Sequence, residues 1–168
     1  CQYMIMEVSS QGIMMHRVDG MIFDYGVFTN ISPDHIGPNE HKDFEEYLYY
    51  KSQMLKICRC GIANMDDEHF SQVTRDHCGR LYTYGINPKA DLYIDHVKFL
   101  SEHGFLGIGF DLEGMAHYHV RVNIPGMYNA YNALAAICLA QLLGIDEKAV
   151  QEAMNTITVN GRMELVYA

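Results

Sequence analysis

The 168-residue sequence carries no cluster of basic residues, and its formal charge is −9. An acidic chain without a basic patch repels phosphodiester backbones, which argues against nucleic acid as a partner. Phosphorylated ligands stay open wherever cations or backbone amides offset the charge. No apolar run approaches the roughly 20 residues of a membrane helix, so no membrane contact is expected. Neither a signal peptide nor a natural start is visible, and the chain starts inside an apolar stretch at Cys1, which reads as a fragment. The five cysteines, Cys1, Cys58, Cys60, Cys78 and Cys138, lack paired spacing: Cys58-Arg-Cys60 is not the two-residue gap of zinc or redox motifs. Scattered and odd in number, they read as reduced thiols of a cytosolic protein. Internal repeats and low-complexity tracts are absent as well.

What is present is a core. Apolar residues make up 49% of the chain, enough for one folded domain. Gln2–Val8 reads as a buried parallel strand with Glu7 near its C-terminal tip. Ser9 to Gly12 is a turn and Ile13–Val18 a short helix. Met21–Thr29 is a second strand, and Asn30, Ser32 and Pro33 are turn formers. A helix follows from about Asp43 to Cys58, with Phe44, Tyr47, Leu48, Leu55 and Cys58 near one face and Lys51 beside them. Gly61–Asn64 is a strand, Glu68–His77 a helix capped by Asp67, and Leu81–Tyr84 a strand. This alternation predicts an α/β fold, a Rossmann-like, mostly parallel, doubly wound sheet flanked by helices. The pattern then changes. Ala90–Leu100, Phe105–Asp111 and His117–Val122 predict a small antiparallel side sheet. Asn129–Leu143, stopped by Gly144, and Asp146–Ile157, capped by Asp146, are helices. Arg162–Ala168 starts a further strand.

The stretch Thr29–Lys51 carries the chemistry. Asp34 and His35 follow a strand's C-terminal end, where open α/β sheets keep their ligands. If the first two strands are neighbours, Glu7 joins them, and carboxylates with one imidazole suit Mg²⁺ or Mn²⁺ better than zinc. The competing reading makes Glu7 a helix cap and His35 a satisfied surface histidine. Lys51, on the inner side of the helix, fits an ion pair, a phosphate contact or carbamylation by CO₂; the last needs a partly desolvated amine. Asn129 and Asn132 fit helix capping or recognition of a purine edge by an amide. His69, His77, His96, His103, His117 and His119 lack ligand spacing. The methionines, and the cluster Tyr47, Tyr49 and Tyr50, read as packing.

Six segments occur in order: Glu7-Val8-Ser9-Ser10, Thr29 to Gly37 (TNISPDHIG), Lys51, Asn64-Met65-Asp66-Asp67, Gly126 to Ala133 (GMYNAYNA) and Gly161-Arg162-Met163-Glu164. Together they resemble the central, ATP-using domain of the Mur ligase family, in its MurE type. The wording SPDHIGPNEH is more similar to lysine-adding members than to diaminopimelate-adding ones. The resemblance implies a P-loop-type ATPase domain over residues 1–158 and the start of a C-terminal domain over 159–168. It implies ATP and Mg²⁺ as cofactors. The implied partners are ATP, a UDP-sugar peptide and an amino acid, for a monomeric, cytoplasmic enzyme of peptidoglycan synthesis. By motif, Glu7, His35 and a carbamylated Lys51 would hold the metal, and Ser9 and Arg17 the UDP-sugar peptide. Asn132, with Asn129 near it, would contact adenine, and Arg162 the ATP phosphates.

The family's GxxGKT phosphate loop is not in this sequence. This piece by itself is therefore expected to have no ligase activity. Met15 stands where some relatives have a polar residue. A folylpolyglutamate-synthase-like ligase is the alternative with the same chemistry, and Glu7-Val8-Ser9-Ser10 speaks against it. A non-catalytic nucleotide- or metal-binding module is the alternative from another class.

Overall fold

A computed structural model describes residues 2–33, 36–38, 40–102 and 105–159. Among these residues six strands are hydrogen-bonded in the order β1-β2-β3-β4-β5-β6, which is also their order in the chain. The strands do not reverse around a switch point, as the doubly wound reading required. The chain divides into two units. One comprises the residues up to Gly61 together with Asp67–Leu81, and the other Ile62–Asp66 with the residues from Tyr82 onward.

The first unit opens with a correction. Gln2–Val8 is not a strand, and Met4 and Ile5 are 76% and 92% exposed. Apolar content makes a strand only where a neighbour completes the ladder, and the six-strand order gives this segment none. Glu7 therefore does not sit on a sheet tip. Helix α1 spans Ser10–Met14, earlier than the expected Ile13–Val18, because the Ser9 hydroxyl caps it by accepting the Gly12 N–H at 3.0 Å. Strand β1 is Phe23–Phe28, inside the expected limits. Helix α2 is Phe44–Lys56, with Asp43 accepting the Glu46 N–H at 2.8 Å. The Glu46 carboxylate reaches back to the Lys42 N–H at 2.9 Å, a close variant of a capping box. Glu45 and Glu46 in the first turn and Lys56 in the last complement the helix dipole. Tyr47 and Leu55 are buried and eight residues apart, so they fall on one stripe; burying Leu55 contributes about 2 kcal/mol. Cys58 is buried too, but it begins β2 (Cys58–Asn64) rather than ending the helix. Helix α3 is only Phe70–Thr74.

In the second unit β3 (Arg80–Gly85, shared with the first) pairs in parallel with β4 (Leu92–Glu102) through Tyr84 and Leu92. β4 pairs antiparallel with β5 (Phe105–Gly114), and β5 pairs antiparallel with β6 (His119–Val122). The expected antiparallel strands are thus present, and they continue the same sheet. Leu92, Ile94, Ile108, Phe110, Leu112, Val120 and Val122 are buried. A register shift between Asp95 and Lys98, with His96 at φ 51°, marks where β4 stops burying alternate residues. Helix α4 (Met127–Leu142) buries Ala130, Ala133, Leu134, Ala135, Ile137 and Cys138, and Gly144 ends it at φ 68°. Helix α5 is Glu147–Thr156, capped by Asp146 as expected. The strand expected from Arg162 lies outside the described residues.

Candidate active site

Helix α2 turns Lys51 toward the interior of the first unit. Its Nζ lies 5.8 Å from the centre of the Tyr47 ring. Burial holds the Lys51 amine below its ordinary range, and the Glu7 carboxylate, within electrostatic reach, opposes that shift. Glu7 and Lys51 thus lie within electrostatic reach of each other although 44 residues separate them in sequence (51 − 7). Asp34 and His35 lie outside the described residues.

The segment after β1 is tied down by Asp67, which the sequence marked as a helix cap and as part of the Asn64-Met65-Asp66-Asp67 motif but not as a clamp. Asp67 Oδ2 accepts the Ile31 N–H at 3.0 Å, and Oδ1 accepts the His69 N–H at 2.9 Å. One carboxylate thus joins the segment after β1 to the segment before α3. The Ile31 side chain is buried, so its amide has little access to water as a substitute partner.

Ser9 and Arg17 lie on one short segment. The Arg17 backbone N–H bonds Gly12 O at 2.9 Å, while the Arg17 guanidinium is exposed and reaches Met15 Sδ at 3.3 Å. Ser10, next to Ser9, is buried and pairs with His41: Ser10 Oγ lies 2.8 Å from His41 Nε2. His41 is wholly buried and stacks on Tyr47 and Tyr50, with ring centres 5.2 and 5.6 Å apart. Tyr47 and Tyr50 are packing groups, as expected, whereas Tyr49 of the same cluster is exposed. Sequence reasoning passed over His41, because a histidine two residues before a helix cap has no periodic signal.

In the second unit α4 begins at Gly126, whose φ of 100° suits glycine alone. The cap is therefore Gly126, and Asn129 instead donates from Nδ2 to Pro125 O at 2.7 Å. Asn132, one turn on, is exposed and donates weakly to Asn129 Oδ1 at 3.4 Å. The two amides thus share one helix face. Between them Tyr131 donates its hydroxyl to Asp66 Oδ2 at 3.1 Å, and the same oxygen accepts the Ile86 N–H. A Cβ on Gly85 would stand 2.6 Å from that oxygen, so glycine is what lets the carboxylate lie against the chain there. Desolvation, with Asp66 adding to it, pushes the Tyr131 phenol up to about 12. Arg162 lies outside the described residues.

Two histidines read as bland from spacing share one acid. His119 Nδ1 lies 2.7 Å from Asp111 Oδ1 and His96 Nδ1 3.2 Å from Oδ2. The His119 hydrogen bond is the main influence holding the Asp111 carboxyl below the usual range. Among the described residues no group of three or more His, Cys, Asp or Glu side chains has the geometry to hold a metal ion. Nor is any described helix long and apolar enough to cross a membrane.

Residues 1–140 match the model of the Mur ligase middle domain. The chain is 37% identical, over 98% of its length, to the UDP-N-acetylmuramoyl-L-alanyl-D-glutamate–2,6-diaminopimelate ligase of Caldanaerobacter subterraneus subsp. tengcongensis, and covers 33% of that protein. It is 38% identical, over 98% of its length, to the corresponding L-lysine ligase of Streptococcus mutans, and covers 32% of it. A solved diaminopimelate ligase superposes with a TM-score of 0.82 at 23% identity, over 96% of this chain and 34% of that one. The chain thus spans about a third of the length of the relatives it matches. An ordered set of six motifs, an α/β sheet that superposes on a ligase of this kind, and a match over 140 residues agree: the chain belongs to the Mur ligase family and carries its middle domain.

Proposed function

We propose that this chain is the ATP-using part of a ligase that joins an amino acid, L-lysine, to UDP-N-acetylmuramoyl-L-alanyl-D-glutamate in peptidoglycan synthesis. The observation that carries the reading is the desolvated Lys51 amine within electrostatic reach of Glu7, in a chain whose relatives at 37–38% identity bear ligase names of this type. Carboxylate oxygen attacks the γ-phosphorus of ATP, ADP leaves, and an acyl phosphate forms. The amine of the amino acid then attacks the acyl carbon, phosphate leaves with the C–O bond pair, and the amine proton passes to solvent.

Each residue has a role in this reading. Ser9 and Arg17 hold the sugar peptide so that its carboxylate stays in line. Asn132, steadied by Asn129, pairs with the adenine edge, and Arg162 approaches the phosphates. Lys51 as an ammonium cannot ligate a cation. As a neutral amine it adds to CO₂, loses a proton and becomes a carbamate, an oxygen donor of the kind hard cations take. Glu7, His35 and that carbamate would then hold Mg²⁺, which neutralises charge gathering on the phosphoryl oxygens when bound. The lowered Lys51 amine is the feature that fits this donor set. The enzyme is taken to act as a monomer in the cytoplasm.

The test uses the full-length product of the encoding gene, supplied with ATP, the UDP-sugar dipeptide and either L-lysine or diaminopimelate. The expected result is ADP release matched by an amide product of the lysine mass. ADP release and amide formation with diaminopimelate alone would overturn the lysine assignment, and no amide with either would overturn the ligase reading. The 168-residue chain by itself is expected to release no phosphate from ATP above blank.

A further inference from the structure

We infer that His41 is a positioning residue for the sugar-peptide segment, acting through Ser10. The inference rests on the ligase reading above for what that segment binds, and on geometry for what His41 does. His41 is 0% exposed, yet among the described residues one of its ring nitrogens is satisfied and the other is not: Nε2 meets Ser10 Oγ at 2.8 Å, while Nδ1 has no hydrogen-bond partner there. The Glu46 carboxylate oxygen Oε2 stands 3.8 Å from Nδ1, too far for a hydrogen bond, and accepts the Lys42 N–H at 2.9 Å. An orphaned buried nitrogen lowers stability. An aromatic hydrocarbon stacked between Tyr47 and Tyr50 would avoid that cost, so stability does not explain an imidazole here.

The Ser10 bond does explain it. Ser10 opens α1, beside the Ser9 cap; the Ser9 hydroxyl holds Gly12 N–H and the Arg17 N–H holds Gly12 O. Ser10 is the buried side chain that ties this segment to the loop before α2, across 31 residues. The Tyr47 ring on which His41 stacks also lies 5.8 Å from Lys51 Nζ. His41 thereby braces the substrate segment from the same wall that shelters the lysine. Its imidazole is not required to touch substrate.

The test compares three forms of the full-length gene product: wild type, His41→Gln, and the pair His41→Phe with Ser10→Ala. Gln places an amide nitrogen near the position of Nε2 and keeps the Ser10 bond; the pair removes the bond without leaving an unpaired hydroxyl. The pair is expected to raise KM for the UDP-sugar dipeptide about tenfold, as the loss of one ordering hydrogen bond would. KM for ATP and kcat stay within about twofold in the same variant. Amide hydrogen exchange over Gly12–Arg17 rises, the unfolding midpoint does not fall, and His41→Gln restores KM. An unchanged KM with unchanged exchange overturns the inference, as does a His41→Gln enzyme as impaired as the pair. A wild-type protein that makes no amide sinks the ligase reading instead. Exchange at Gly12–Arg17 then still decides the role of His41.

Discussion

Replacing Asp67 by alanine isolates the clamp between the segment after β1 and the segment before α3. Asp67 accepts two backbone N–H groups, from Ile31 at 3.0 Å and His69 at 2.9 Å. Hydrogen bonds to a charged acceptor contribute about 1.5–3 kcal/mol each when sheltered. Asp67 is half-buried, so the His69 bond counts for less, because water can replace it. Ile31 is 5% exposed, and its N–H would be left without a partner. The expected loss is therefore about 2–3 kcal/mol. With a urea slope of about 2 kcal/mol/M, the unfolding midpoint falls by about 1 M. Asp67→Asn keeps one oxygen acceptor and presents an N–H₂ to the other donor, so it should lie between alanine and wild type. Urea titration read by circular dichroism gives the midpoint, and amide exchange at Ile31 reports the clamp directly. A midpoint moved by less than about 0.3 M with Ile31 as protected as before would refute the reasoning.

The Tyr131 phenol should ionise near 12 in an ultraviolet pH titration, and Asp66→Asn should bring it down without restoring 10.0, because desolvation is the larger cause. Since that value is raised in the folded state, the stability it reflects is complete below pH 10.0 and is lost as pH climbs through about 12; an ordinary titration in the wild type would contradict this. Gly126→Ala places a Cβ at φ 100° and should cost about 1–2 kcal/mol in thermal unfolding, and an unchanged transition would show that the backbone there is not strained. At pH 8 alkylation should take exposed Cys78 first and Cys58 late. Burial raises the Cys58 thiol to about 11, leaving roughly one thiolate in a thousand, and equal rates would contradict the site as described. With ¹³C-bicarbonate, the full-length product should show a carbamate resonance that disappears in Lys51→Met, since a lowered lysine is neutral at lower pH than its exposed counterparts; a resonance surviving that change would place the carbamate elsewhere.

Local chemistry alone marked β1, α2, α4 and α5. Strand composition, helical spacing, and stop or cap residues such as Asp43, Gly144 and Asp146 act within a few residues of where they stand, so they can be read along the chain. The ordered motifs that resemble the family likewise lie in the sequence itself. Gln2–Val8 looked like a strand for the same local reasons and is not one, since a strand exists only in a pairing that the segment cannot supply by itself. Tertiary structure alone decided what holds the site. His41 meets Ser10 across 31 residues, Asp67 meets Ile31 across 36, and Tyr131 meets Asp66 across 65. Those bonds form between groups that only the folded chain brings within 3 Å or so of each other, and no spacing in the sequence encodes the desolvation that lowers the Lys51 amine.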